Sequence, residues 1–582
     1  MRRAIFPILI VGVSVLTFLS AFNLALFGDD WLAFFRYSQY LGPSSDHSWN
    51  HITYFLTSYG PQDIMMGLLE KIYSYNSYFY QLTSFILRLI AAFSIYPLAF
   101  YLTKNKYSSL LAVLFLSVTS IGLETTNWVF NMPSYFAIIF LNLFFYFYLR
   151  AKETNKMKFL FPAGLFFFTS ILSQPIRMHG LLPFIFIMEI SWLFQNCSKT
   201  VLKQALLRFG YLFLIFLIIF WGLSGSPVVS GSKLLNDDLS SVFKLINERH
   251  WVFLFNPIII LGSLFFPESI IQFQTKITQD EQIIFSLLLP IFLIFQLIFI
   301  FLIKNISSSI SVYYRKFLIL SIFWSIIALL IYKINQNELA NANYMLNLIT
   351  GGYIIITWIF LFVKLKKDQK VAPLVFSFWW ILLSFLLAWA RFPESILLTT
   401  HRYLIVSAVG VVLFLTTLAS FGKSYKNKVY LSLFVVGMIL LNIISTRNYL
   451  QQQQQNHGIN ISNKIWSAIP NIRNVIGENG TIVFYFEGDG TNTAIMHDVI
   501  TFGFPSHMAL IYKITKETQM PIALDIWKEI ESAVIDGKSL AHYGYPLKPI
   551  PPENVYAFYL QGNDNLINIT DLARNKLIQL KK

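Results

Sequence analysis

The chain of 582 residues has one cysteine, and only 13% of its residues are charged. A lone cysteine, Cys197, excludes an intrachain disulfide and a cysteine-built metal site. The scarcity of charge excludes an ordinary soluble domain, in which about a quarter of the residues are charged. Also missing are a P-loop, a GxSxG and an HExxH. The GDG at Gly488–Gly490 is too short for a nucleotide motif and reads as a plain turn. There is no repeat of fixed period. No basic stripe with interleaved aromatics lies outside the apolar runs, so nucleic acid is not a partner.

What the chain has in abundance is apolar sequence: 55% hydrophobic, 17% aromatic, mean hydropathy +0.58. Runs long enough to span a bilayer recur along most of it. Spans are predicted at Ala4–Phe27, Tyr80–Leu102, Tyr107–Ile121, Ser134–Leu149, Phe159–Leu172, Leu181–Phe194, Phe209–Leu223, Ile283–Ile303, Phe317–Ile331, Leu346–Val363, Val371–Ala390, Tyr403–Phe421 and Val429–Ile444. Several of these apolar cores fall below the usual ~20 residues, so their ends must extend into the flanks. The first resembles a signal peptide. Its apolar stretch is long and no small-residue cleavage site follows, so it reads as an uncleaved span.

The net charge of +15 is best read as topology. If Arg2 and Arg3 stay in the cytoplasm, every second loop is basic: Lys104 and Lys106, then Arg150 to Lys158, Lys199 to Arg208, Lys304 to Lys316, Lys364 to Lys370 and Lys423 to Lys428. The apolar stretch from Trp251 could also span, but that would invert every later loop. It is read as interfacial or re-entrant. The expected fold is a polytopic α-helical membrane protein of about thirteen transmembrane helices, N-terminus in and C-terminus out. The plasma membrane of a prokaryote is the expected location.

Three outer segments are long: residues 28–79, residues 224–282 and the region after Thr446. The first contains candidate amphipathic helices such as DIMMGLLEKIYSYN. The third opens with NYLQQQQQNHGIN, which either extends the last helix or forms a linker. Beyond it, TIVFYFEGDG and VYAFYLQG read as strands, and ALDIWKEIESAVIDG and DLARNKLIQLKK as helices. Residues 448–582 are therefore expected to form a small extracytoplasmic α/β domain, and residues 1–447 the membrane domain.

Polar groups gather at the outer face. In FGDDWLAFFR, Asp29 and Asp30 follow the first span directly. One acid there would be an ordinary helix end. Two, followed by Trp31, are less routine, because charges near hydrocarbon are costly and often functional. A partly desolvated carboxylate is a stronger base than one in bulk water. HSWNH sets His47 and His51 four apart, a spacing that can bind metal but that fits hydrogen bonding or interfacial packing better. GLETTNW offers Glu124 and Asn127. QPIRMHG offers Arg177 and His179, and TTHRYL offers His401, Arg402 and Tyr403. The short outer loops are otherwise nearly free of basic residues. Two loops that each carry Arg with His fit a phosphate held by charge-assisted hydrogen bonds.

The first span followed by GDDW (Gly28–Trp31), the loop with SYGPQD (Ser58–Asp63), the LETTNW turn and the HRY start of span twelve together resemble the GT-C superfamily of membrane glycosyltransferases. The likeness is closer to its protein O-mannosyltransferase and aminoarabinose-transferase branch in prokaryotes, and it covers roughly residues 1–447. It implies inverting transfer from a polyprenyl-phosphate-linked sugar to an acceptor at the outer face. It also implies a first-loop acid as base: Asp29, with Asp30 as a supporting group or the alternative base. Protein-mannosylating members carry a histidine-proline-proline motif in this loop, where this chain has SYGPQD. The acceptor, whether protein, glycolipid or cell-surface glycan, is left open. So is a divalent cation, which some members need and others do not. A transporter or flippase of a lipid-linked saccharide is the competing expectation. Transporters keep ionisable residues near the midplane and show repeated halves. Here Arg88 is the main charge inside a span, and no matched halves are visible.

Overall fold

In hydrocarbon a backbone amide must bond within its own segment, so the apolar runs become helices. The computed structural model describes residues 2–42, 50–57, 59–178, 180–193, 198–224, 240, 242–265, 311–334, 342–365, 372–391, 401–420, 425–469, 482–488, 503–514, 521–536, 550–562 and 565–581. Helices occupy twelve of the thirteen predicted spans, and the remaining one, Ile283–Ile303, lies outside the described residues, as does Cys197. Among the described residues seven helices are long and apolar enough to cross a bilayer. The chain is a helical membrane protein with a small C-terminal sheet region.

Most helices run past their apolar cores into polar flanks. The predicted span Phe209–Leu223 belongs to a helix that begins at Lys199 and ends at Ser224. The last helix, Tyr425–His457, has 33 residues and is about 50 Å long at 1.5 Å per residue, well beyond a ~30 Å hydrocarbon core. Its final turns are the glutamine run, so NYLQQQQQNH extends the helix. The first helix departs from expectation the other way. It ends at Phe18, continues as a 3-10 turn over Leu19–Asn23, and gives way to extended backbone that bridges Leu24 to Gly458. The stretch from Trp251 forms a 3-10 turn and then a helix, Asn256–Phe265, which reaches the edge of the described residues. Its buried side chains pack against the helix Ala342–Leu365.

The helix Ile405–Ser420 is buried on every side and forms the centre of the bundle. Beside it Phe145, Phe184, Phe376 and Trp380 meet edge to face, with ring centroids 5.0–5.5 Å apart. The Trp380 indole donates to the Val406 carbonyl at 2.9 Å. Arg88 is also buried. Its guanidinium donates to the carbonyls of Ser117 (2.9 Å) and Thr119 and to the Thr126 hydroxyl (2.9 Å), and it lies 4.6 Å from the Phe18 ring centre. Those carbonyls end the helix Lys106–Val118, where the partial charge is negative. Arg88 thus fixes the loop that follows. Asn442 fixes it from the other side, accepting from Thr119, Ser120 N and Ser120 Oγ at 3.0–3.1 Å.

In the C-terminal region a four-stranded sheet forms from β1 (Val483–Gly488), β2 (Ile522–Leu524), β3 (Val555–Gln561) and β4 (Asn565–Asn568), in the order β2-β1-β3-β4. β1 pairs in parallel with β2 (Val483 opposite Ile522) and with β3 (Phe484 opposite Tyr556), while β4 returns antiparallel to β3. Both faces of β1 are covered, Phe484 and Phe486 on one and Val483 and Tyr485 on the other. That is why VFYF is continuously apolar rather than alternating. The stretch ALDIWKEIESAVIDG, expected as one helix, starts as strand β2. Only Trp527–Glu531 is α-helical, followed by a π turn over Ser532–Asp536.

Candidate functional site at one end of the bundle

The chain turns sharply between the first helix and the next, Asp29–Leu41. Gly28 makes the turn at φ +56°, a conformation that side-chain-bearing residues rarely adopt. The two acids that follow are placed very differently. Asp30 is fully buried, and its carboxylate accepts from the amides of Phe27 (3.1 Å) and Phe130 (2.7 Å). It bridges the turn after the first helix to the segment before the helix Pro133–Thr154. Burial holds its carboxyl well above the usual range, outweighing both amide bonds. Asp29 stays partly exposed at the helix N-terminus. No hydrogen bond to its carboxylate forms among the described residues. Desolvation raises its pKa, opposed by the nearby charges of Arg36 and Arg402.

Arg36 lies two turns after Asp29 on the same helix face. Its Nε and Nη2 grip Asp63 at 2.8 and 2.7 Å, and the Tyr54 hydroxyl donates to the same carboxylate at 2.7 Å. Asp63 is 0% exposed. The Arg36 guanidinium also lies 4.9 Å from the Tyr59 ring centre and 5.6 Å from that of Phe130. One carboxylate of the loop is therefore fully engaged and one is open.

Two further arginines reach this end from other helices. Arg402 opens the central helix. Its carbonyl accepts from Thr125, and its guanidinium lies 4.3 Å from the Trp128 ring centre and 5.3 Å from that of Tyr403. Arg177 donates to Thr125 Oγ1 at 3.0 Å and to Asn131 Oδ1 at 2.6 Å, and lies 5.3 Å from the Tyr403 ring centre. Burial lowers Arg177 to about 10, which leaves it cationic at neutral pH. Glu124 is within electrostatic reach of both arginines. Gln62 donates to Gln174 at 2.5 Å, and Gln174 to Ser134 at 3.1 Å. Glu124 Oε2, Asn127 Oδ1, Asn131 Nδ2 and Gln62 Oε1 are buried and find no partner among the described residues.

The structure thus gathers Asp29, Asp30, Glu124, Asn127, Arg177, Arg402 and Tyr403 at one end of the bundle. His51 is exposed in its own short helix, 3.2 Å from the Tyr37 hydroxyl. His401 heads the turn His401–Leu404. His47 and His179 lie outside the described residues. Among the described residues no group of three metal-binding side chains forms. Sequence reasoning missed Arg36, Thr125, Asn131, Gln62 and Gln174. Only Arg36 left a signal, its seven-residue spacing from Asp29.

The C-terminal region also reaches the site. Its helix Phe504–Ile511 lies along Asp29–Leu41. His507 stacks on Trp31 with ring centres 3.5 Å apart and meets Trp466 edge-on. Burial lowers His507 to about 3, so the ring is neutral. Gly503 touches Gly28 so closely that a Cβ on it would fall 2.8 Å from Gly28 N and O. His457 stacks on Phe27 at 5.0 Å, and its carbonyl accepts from Ala25 N at 2.8 Å. In comparisons with known proteins, no family model and no curated protein matches this chain.

Proposed function

We propose that the chain is an integral-membrane inverting glycosyltransferase, which moves a sugar from a polyprenyl-phosphate donor to an acceptor hydroxyl at the face bearing Asp29. The observation that carries this reading is Asp29, partly exposed at a helix N-terminus and within electrostatic reach of Arg402. A base and a phosphate-binding cation at one membrane boundary are what such a transfer needs. The donor's tail stays in hydrocarbon while its phosphate reaches the site.

Asp29 takes the acceptor hydroxyl proton as that oxygen bonds to the anomeric carbon. The bond from that carbon to the phosphate oxygen breaks, and its electron pair leaves with the phosphate. Arg402, with Arg177 behind it, stabilises the developing charge. Phosphate leaves without protonation, so one carboxylate suffices, unlike the pair used in glycoside hydrolysis. The raised pKa of Asp29 makes it a stronger base. Asp30, with both oxygens on backbone amides, acts as a support. The unpartnered Glu124, Asn127, Asn131 and Gln62 atoms are the groups available to sugar hydroxyls. This reading takes about thirteen spans, a cytoplasmic N-terminus, an extracytoplasmic C-terminal domain and the plasma membrane of a prokaryote.

The test is sugar transfer or release by the purified protein in lipid, given a panel of polyprenyl-phosphate sugars, with Asp29→Asn and Asp30→Asn beside the wild type. Loss in Asp29→Asn with folding and donor binding intact supports the reading. Unchanged activity in Asp29→Asn overturns it.

A further inference from the structure

The opposite end of the bundle holds a second charged site that the proposed reaction does not use. A cavity of about 600 Å³ opens there, where the ends of five helices converge. One wall carries a buried cluster. Glu189 accepts from Arg208 Nε and Nη2 at 3.0 and 2.9 Å and from the Tyr148 hydroxyl, and Lys152 Nζ stands 3.6 Å from the same carboxylate. Side-chain exposure is 9% for Lys152, 6% for Arg208 and 4% for Glu189. Two buried cations therefore share one carboxylate. At the rim Lys104 lies over Tyr101, whose hydroxyl donates to Glu153 at 2.5 Å. Among the described residues that line the cavity, Lys104, Lys152 and Arg208 face two carboxylates, Glu153 and Glu189, so one positive charge is left over, which favours an anion joining them.

The surroundings define the anion. The remaining walls are apolar, with Met188, Val375 and Phe376 among them. Trp192, Trp379 and Tyr101 also line the cavity, the side chains favoured at headgroup depth. Val201 and Gln204 line it from a helix on which Leu202 and Leu206 are exposed. The mouth thus adjoins the surface that meets lipid. A volume of this order suits a small ligand or part of a larger one.

We propose that this cavity seats the phosphate headgroup of an anionic glycerophospholipid from the leaflet on that face, its phosphate on Lys152 and Lys104 and its upper chains on the apolar wall. The site is independent of the transfer reaction. The test is native mass spectrometry of the delipidated full chain offered phosphatidylglycerol or phosphatidylcholine, with melting curves as the control for folding. The wild type should retain phosphatidylglycerol preferentially. Lys152→Gln and Lys104→Gln should each weaken retention roughly fivefold, the effect of one basic residue at an anionic surface. Lys104 is exposed, so its variant should fold even if Lys152→Gln does not. Ser191→Trp, which fills the cavity, should remove the preference. Equal retention of both lipids, or a preference unchanged in Lys104→Gln and Ser191→Trp, overturns the proposal. Displacement of the lipid by millimolar inorganic phosphate would assign the site to a soluble anion instead.

Discussion

The two ends of the helical bundle are both charged, but they are charged differently. At one end Asp63 is saturated by Arg36 and Tyr54, while Asp29 has no direct partner among the described residues and two arginines rest on aromatic rings and neutral side chains. At the other end Glu189 is saturated, and among the described residues lining the cavity one positive charge is left over. The first end combines a partly exposed carboxylate with two arginines, which is what the proposed transfer requires. The second can only bind.

Four experiments would break or sharpen that comparison. The largest effect is expected from Asp29→Asn, which should cut transfer by roughly a hundred- to ten-thousand-fold, the usual worth of a positioned base, with little change in melting temperature. Lys152→Gln should leave transfer unchanged, and a large loss there would couple the two ends. Next is Asp63→Ala, which strands Arg36 in a buried position. Breaking such a pair costs about 3–5 kcal/mol and should appear as a lowered midpoint in thermal or denaturant unfolding. Smaller still is Asp30→Asn, which loses one of two acceptor oxygens and leaves a backbone amide unsatisfied. The expected cost is about 1–3 kcal/mol in stability, so transfer should persist in molecules that remain folded.

The smallest expected effects are in pH dependence. Asp29 must be ionised to act, and desolvation raises its pKa. Transfer should therefore hold at neutral pH and fall, as pH is lowered, at a value above the ordinary carboxylate range. A rate profile with its acid limb at ordinary Asp values would contradict the partly desolvated setting. His507 has the opposite sign of shift, from 6.5 in the unfolded chain to about 3. The unfolded state binds the extra proton between those values, so stability falls as pH drops below about 6.5. Hydrogen exchange across Trp31 and His507 should quicken there, and His507→Ala should reduce the pH dependence by that residue's share.

The membrane helices were legible because hydrocarbon allows no other backbone solution. Helix ends were less legible, since polar flanks such as the glutamine run continue a helix without any apolar signal. The acidic pair was legible as a pair, but not the division of labour inside it. That division depends on the Phe130 amide, a hundred residues away in sequence. Asp63 closes the SYGPQD motif, yet nothing local reveals that it belongs to Arg36. In the C-terminal region the long strands announced themselves, while β2 has three residues and β4 four, too short for a periodic pattern. The stacking of His507 on Trp31 joins opposite ends of the chain and leaves no trace in either segment.

The contact of Gly503 with Gly28 has an evolutionary consequence. Two bare backbones meet there, directly beneath the turn that aims Asp29. A recombined protein that took its C-terminal domain from another source would need a residue without a side chain at that same point, or the graft would push the turn out of place. A side chain added at Gly503 is therefore expected to disturb the turn that carries Asp29.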